Sequence, residues 1–150
     1  MNDDAARMVE VGGKDVTDRV AVAACVLEAD ASTIERLVEG TPKGDPIEAA
    51  RIAGLMAVKR TPDLLPFCHP VAITGAEVVV HPDPGTGRIT VTVTVRATDR
   101  TGVEMEAMTG AAVAALSLYD VAKALQRSAR IADLHLVEKR GGAGGDFRAP

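Results

Sequence analysis

Residues 101–127, TGVEMEAMTGAAVAALSLYDVAKALQR, decide how the rest of the chain must be arranged. The stretch reads as one long helix. Glu104 and Glu106 stand at its start, Asp120, Lys123 and Arg127 at its far end, and no charged residue falls between Ala107 and Leu118. A helix that is apolar around its whole circumference must be covered on every side. It therefore calls for a sheet on one face and another helix on the other.

The neighbouring segments supply both. Residues 88–96, RITVTVTVR, alternate without a slip: Ile89, Val91, Val93 and Val95 face one way, Thr90, Thr92 and Thr94 the other. That is the pattern of a half-buried antiparallel strand. Residues 71–80 read as its hairpin partner across the turn composition of residues 81–87, HPDPGTG. Residues 19–27 and 131–137 read as two further strands. Asp45-Pro46-Ile47-Glu48 has the N-cap, N1 proline and N3 acid of a helix start, with an apolar stripe through Ile47, Ala50, Gly54, Leu55 and Val58. Ser32 and Glu35 read as the capping box of a short helix that ends at Gly40. Pro62, Pro66 and Pro70 are expected to exclude regular helix from residues 61–70, leaving Phe67-Cys68-His69 in a stiff irregular loop. Setting the short helix aside, the order is β-α-β-β-α-β. The fold class is α+β, ferredoxin-like, with helices packed on one face of an antiparallel sheet. Residues 1–9 are expected as a disordered tail, 10–140 as a single catalytic domain and 141–150 as a flexible glycine-rich tail.

Composition narrows the function. The 150 residues are 47% hydrophobic, yet they contain no Trp, one Tyr and two Phe. A core of Ala and Val must pack closely, or the chain must bury further surface in an oligomer. A net charge of −4 and few rings disfavour a nucleic-acid module. Cys25 and Cys68 lie far apart and form no CxxC, which fits reduced thiols in the cytoplasm. The acidic first ten residues lack the apolar stretch of a signal peptide, and no segment outside the alanine-rich helix is long and apolar enough to span a membrane.

Several residues invite chemistry. Lys43, before a capped helix, is either a solvated turn lysine or part of an anion site at that helix N-terminus. His69, held among three prolines, has the rigid setting of a site residue, whereas His81 and His135 read as surface. Asp120 and Lys123 share a helix face, either as a simple salt bridge or as an acid–base pair. Glu106 and Asp120 are fourteen positions apart, about 21 Å along a helix, so one small-molecule site cannot easily use both. A composite site between antiparallel subunits, with the alanine-rich middle as their contact, would reconcile the two ends.

Taken together, Met8-Val9-Glu10-Val11, Lys43-Gly44-Asp45, Ala50-Arg51-Ile52-Ala53-Gly54, Lys59-Arg60-Thr61, Leu65-Pro66-Phe67-Cys68-His69-Pro70, residues 101–109 (TGVEMEAMT) and Tyr119-Asp120 resemble the MoaC family, in one collinear order across residues 8–146. The resemblance implies a cyclic pyranopterin monophosphate synthase of molybdenum cofactor biosynthesis, a phosphorus–oxygen lyase. Its substrate would be the small cyclised GTP derivative, (8S)-3′,8-cyclo-7,8-dihydroguanosine 5′-triphosphate, made by a radical SAM enzyme. It would need no cofactor of its own, though Mg2+ can accompany the triphosphate. It implies a homohexamer, a trimer of dimers with the site at a dimer interface, and no metal, nucleic acid or membrane. By position in the motifs, Asp120 and Lys43 correspond to the principal acid–base residues, with Lys123 and His69 in support. Phe67, Cys68, His69, Met105 and Glu106 correspond to substrate-contacting segments, and Arg19, Lys59 and Glu104 to further lining. One departure stands out: the family commonly has Gly-Gly-Lys-Ser-Gly where residues 141–145 read Gly-Gly-Ala-Gly-Gly. The competing reading is a non-enzymatic ferredoxin-like domain that binds a small molecule, since this fold hosts many functions.

Overall fold

Strand β3 (Arg88–Asp99) buries Ile89, Val91, Val93, Val95 and Ala97 and leaves the threonines between them half-covered, as the alternation demands. The computed structural model describes residues 4–150, so the first three residues of the expected tail lie outside the described residues. β3 lies between β2 (Ile73–Asp83) and the central strand β1 (Thr17–Glu28), and β1 pairs on its other side with β4 (Arg130–Arg140). The order β2-β3-β1-β4, antiparallel throughout, is the ferredoxin-like arrangement. A fifth strand, β5 (Phe147–Arg148), pairs with β4 at the sheet edge. Residues 141–150, expected as a flexible tail, thus turn back: Gly141 and Gly142 take φ of 90° and 88°, and Asp146 Oδ1 accepts the Gly141 N–H.

Helix α2 (Pro46–Leu64) and helix α3 (Glu104–Ala122) cover one face of the sheet. Ala107, Ala111, Ala114, Ala115, Leu118 and Ala122 of α3 are buried in one cluster with Ala21, Ala23, Cys25 and Leu27 of β1. The helices meet at a pair of glycines. A Cβ at Gly110 would stand 2.7 Å from Val58 Cγ2 and 3.3 Å from the Gly54 carbonyl. α3 is not covered on every side, however. Met105 and Leu116 on α3, with Ile52 and Met56 on α2, are each about half exposed, and they form bare apolar stripes.

Three local readings need correction. In the short helix α1 (Ala31–Glu39) Asp30, not Ser32, holds the N-cap position, with no side-chain cap bond and no Ser32–Glu35 box. The reason is distant in sequence: Gln126 Oε1 accepts the Asp30 N–H at 2.8 Å and the Thr33 hydroxyl at 2.9 Å, so Ser32 falls inside the helix. α2 runs through Pro62 to Leu64, because a proline in the last turn removes only its own donor; Leu65 N–H still closes on the Thr61 carbonyl. α3 stops at Ala122, where the carbonyl takes N–H groups from both Leu125 and Gln126. Arg127 therefore lies beyond the helix, its carbonyl accepting the Tyr119 hydroxyl.

Candidate active site

Prolines 66 and 70 stiffen the loop leaving α2, and that loop lies across the first turn of α3. Phe67, Cys68 and His69 from the loop, with Glu104, Met105 and Glu106 from the helix, line a cleft of about 360 Å3. Six of the site residues expected from sequence are thus brought together. Glu106 is the most enclosed, at 1% exposure. Its Oε1 accepts a hydrogen bond from the Cys68 thiol at 3.5 Å, and its Oε2 is buried with no partner. Burial raises its pKa above the ordinary carboxyl value, with the Glu104 charge adding to the effect. The Cys68 thiol is pushed up to about 11, first by burial and then by the Glu106 charge. It is a hydrogen-bond donor at neutral pH, not a thiolate nucleophile. Glu104 faces Lys139 at 3.9 Å, both side chains being largely covered.

Arg19 lies on β1 in the wall of a second cleft of about 570 Å3, which shares Thr101 and Gly102 with the first. Lys59 is exposed on α2, on the same side as Ile52 and Met56, and lines neither cleft.

The remaining expected residues gather at the opposite end of α3. Lys123 Nζ is 2.6 Å from Asp120 Oδ1. The Lys123 ammonium holds the Asp120 carboxyl below its ordinary value, Lys43 contributes in the same direction, and Asp120 in turn raises Lys123. Both groups are solvent-exposed, so the pair adds little to stability. Within one chain, then, Lys43, Asp120 and Lys123 form one cluster, and His69, Cys68, Glu104 and Glu106 another about 21 Å away along α3. His81 and His135, read as surface, are exposed. Among the described residues no group of three His, Cys, Asp or Glu could hold a metal ion. No helix among them is long and apolar enough to cross a membrane.

A model of the MoaC family matches residues 8–142. The chain is 49% identical over 144 residues to the cyclic pyranopterin monophosphate synthase of Desulforapulum autotrophicum, covering 95% of this chain and 88% of that one. It is 50% identical over 145 residues to the protein of the same name from Streptomyces griseus, covering 96% and 81%. A third, from Roseiflexus sp., is 49% identical over 143 residues, covering 95% and 90%.

Proposed function

The chain belongs to the MoaC family, and from that premise we propose the reaction and its division among residues. The protein acts as a cyclic pyranopterin monophosphate synthase in molybdenum cofactor biosynthesis. Its substrate is (8S)-3′,8-cyclo-7,8-dihydroguanosine 5′-triphosphate, supplied by a radical SAM enzyme. The products are cyclic pyranopterin monophosphate and pyrophosphate, which places the enzyme among the phosphorus–oxygen lyases. The observation that carries this reading is the joint placement of the family's Phe67-Cys68-His69 and Glu104-Met105-Glu106 segments in one cleft. A non-enzymatic binding domain would have no use for the separate Lys43, Asp120 and Lys123 cluster.

The chemistry asks for groups of these types. A substrate hydroxyl attacks the α-phosphorus, a new P–O bond closes the cyclic phosphate, and the bond to the pyrophosphate oxygen breaks. The hydroxyl proton needs a base, and Asp120, kept ionised by Lys123, is suited to take it. The departing pyrophosphate needs cations, which Lys43 and Lys123 can supply. The ring rearrangement needs protons given and taken, a role for His69. The steps move protons and a phosphoryl group, so no redox cofactor enters; Mg2+ would arrive with the triphosphate.

Because the two clusters lie about 21 Å apart, the working site is composite. The His69 end of one subunit meets the Asp120 end of its neighbour. The bare stripes of Ile52, Met56, Met105 and Leu116 support a subunit contact between those ends. The assembly is a homohexamer of three such dimers, working in the cytoplasm.

The test supplies the cyclised GTP derivative and measures pyrophosphate and pterin. Wild type turns over, while Lys43→Ala and Asp120→Ala stay folded and lose most activity; full rate in both would overturn the roles. Mixing inactive Asp120→Ala with inactive His69→Ala subunits should restore activity, because some sites then receive two intact ends. No recovery on mixing would overturn the composite site.

A further inference from the structure

The first cleft has two walls, and both lead back to one carboxylate. One wall is the loop that leaves α2, with Phe67, Cys68 and His69; the other runs from Thr101 and Gly102 into Glu104 and Glu106 of α3. Asp99 ends β3, shortly before the second wall. Its Oδ1 accepts the Arg100 N–H at 2.7 Å, at the step from the strand towards that wall. Its Oδ2 accepts the Ala72 N–H at 2.8 Å, a short way beyond His69.

Among the described residues two hydrogen bonds join residues 65–72 to residues 99–106: the Cys68 bond to Glu106 and the Ala72 bond to Asp99. The first is long, at 3.5 Å, and a thiol is a weak donor. The second is charge-assisted, of a kind roughly twice as strong as a neutral bond. The Ala72 and Arg100 N–H groups hold the Asp99 carboxyl below its ordinary value, and the Arg100 and Arg19 charges add to this, so both oxygens are free to accept at neutral pH. The loop has little other hold at that point. Ala72 is the middle of a tight turn, in which the Ile73 N–H closes on the Val71 carbonyl at 3.0 Å. β2 then starts with a register shift between Ile73 and Gly75.

We infer that Asp99 is a positioning residue for the reaction: its carboxylate sets the spacing between the His69 loop and the wall that carries Glu106. This rests on the reaction proposed above and adds to it a group outside the site itself. Asp99 lines neither cleft, so its effect passes through His69 and Glu106. Both of its oxygens are needed. An asparagine has one acceptor oxygen and one amide donor, so one of the two N–H groups would be left facing an NH2 group. Alanine would release both.

The test compares full-length wild type with Asp99→Asn and Asp99→Ala. Thr98→Val is the control, since it breaks a neighbouring bond, from the Thr98 hydroxyl to Asp18 Oδ1 at 2.8 Å, that reaches neither wall. Steady-state kinetics use the cyclised GTP derivative. Iodoacetamide labelling of the folded protein reads the Cys68 thiol, because Cys25 is buried. In Asp99→Ala kcat should fall about tenfold or more with KM far less changed, the pattern of lost alignment. Cys68 should alkylate severalfold faster as it parts from its buried setting and from the Glu106 charge that keep it a thiol. Asp99→Asn should fall between, and Thr98→Val should change neither readout. A merely structural role would lower the urea midpoint and leave both readouts of the folded protein at wild-type values. That result overturns the inference, and so does a change in only one of the two readouts while wild type turns over substrate. If wild type makes no pterin but Cys68 alkylation still follows Asp99, the reaction is overturned and the tie between the walls stands.

Discussion

Replacing Gly110 by alanine tests the closest approach of the two long helices. The new Cβ would stand 2.7 Å from Val58 Cγ2 and 3.2 Å from Val93 Cγ1, where ordinary contact begins at 3.4 Å. A gap of about 0.7 Å or more must open. Val58 is fully buried and, being β-branched, has no easy second rotamer, so α3 itself must shift. Overpacking of this kind costs about 1–3 kcal/mol, and the gain from replacing a mid-helix glycine returns about 1 kcal/mol. With a stiff neighbour the upper part of the range applies, a net loss of about 2 kcal/mol. For a chain of this size that lowers Tm by roughly 4–8 °C. Val58→Ala alone should cost about 2 kcal/mol through lost methyl groups. In the double variant the severest contact is gone and only the 3.2 Å approach to Val93 Cγ1 and the 3.3 Å approach to the Gly54 carbonyl remain, so the loss should fall clearly short of the additive sum of about 4 kcal/mol. Urea unfolding of the four proteins decides it. Additive losses, or a Gly110→Ala protein as stable as wild type, would show that the glycine contact does not set the helix spacing.

Other consequences are open to measurement. The raised pKa of Glu106 means the fold prefers the protonated acid, so its contribution is full at low pH and is lost as pH rises through the raised value. Glu106→Gln does not titrate, so its Tm relative to wild type should climb with pH; an unvarying difference in thermal melts would refute this. Asp45 accepts the Ile47 and Glu48 N–H groups at 2.9 and 3.2 Å, so Asp45→Ala should cost about 1 kcal/mol in chemical denaturation, with Asn recovering most of it. Asp120→Asn should leave the neutral-pH Tm where it was, since the pair with Lys123 is solvent-exposed, while pterin formation falls steeply. A drop in both would make Asp120 a stability residue.

What could be read in advance was what sequence neighbours determine. Asp45, Pro46 and Glu48 start α2 by themselves, and the Ile89 to Val95 alternation fixes the buried face of β3. The start of α1 does not follow from its neighbours alone: Gln126, which accepts the Asp30 N–H, lies 96 residues away. Pro62 does not stop α2, because proline breaks helix interiors while the last turn tolerates it. The site divided along the same line. His69 and Glu106 sit in short distinctive motifs, and they do meet in one cleft. Asp99 carries no local signal, being brought to the Ala72 N–H only by the way β2 lies against β3.

The position of β1 also orders events while the chain is being made. It is the first strand to leave the ribosome, yet it is the middle of the sheet: one edge waits for residues 88–99 and the other for residues 130–140. Until then its run of Val, Ala, Cys and Leu has two open backbone edges, a form prone to pairing with other chains. Asp30, the N-cap residue of the helix that follows it, finds the acceptor for its own N–H only when Gln126 has emerged. A chain that ends before residue 126 lacks both the β4 partner and that acceptor, so the last quarter of the sequence is what closes the first.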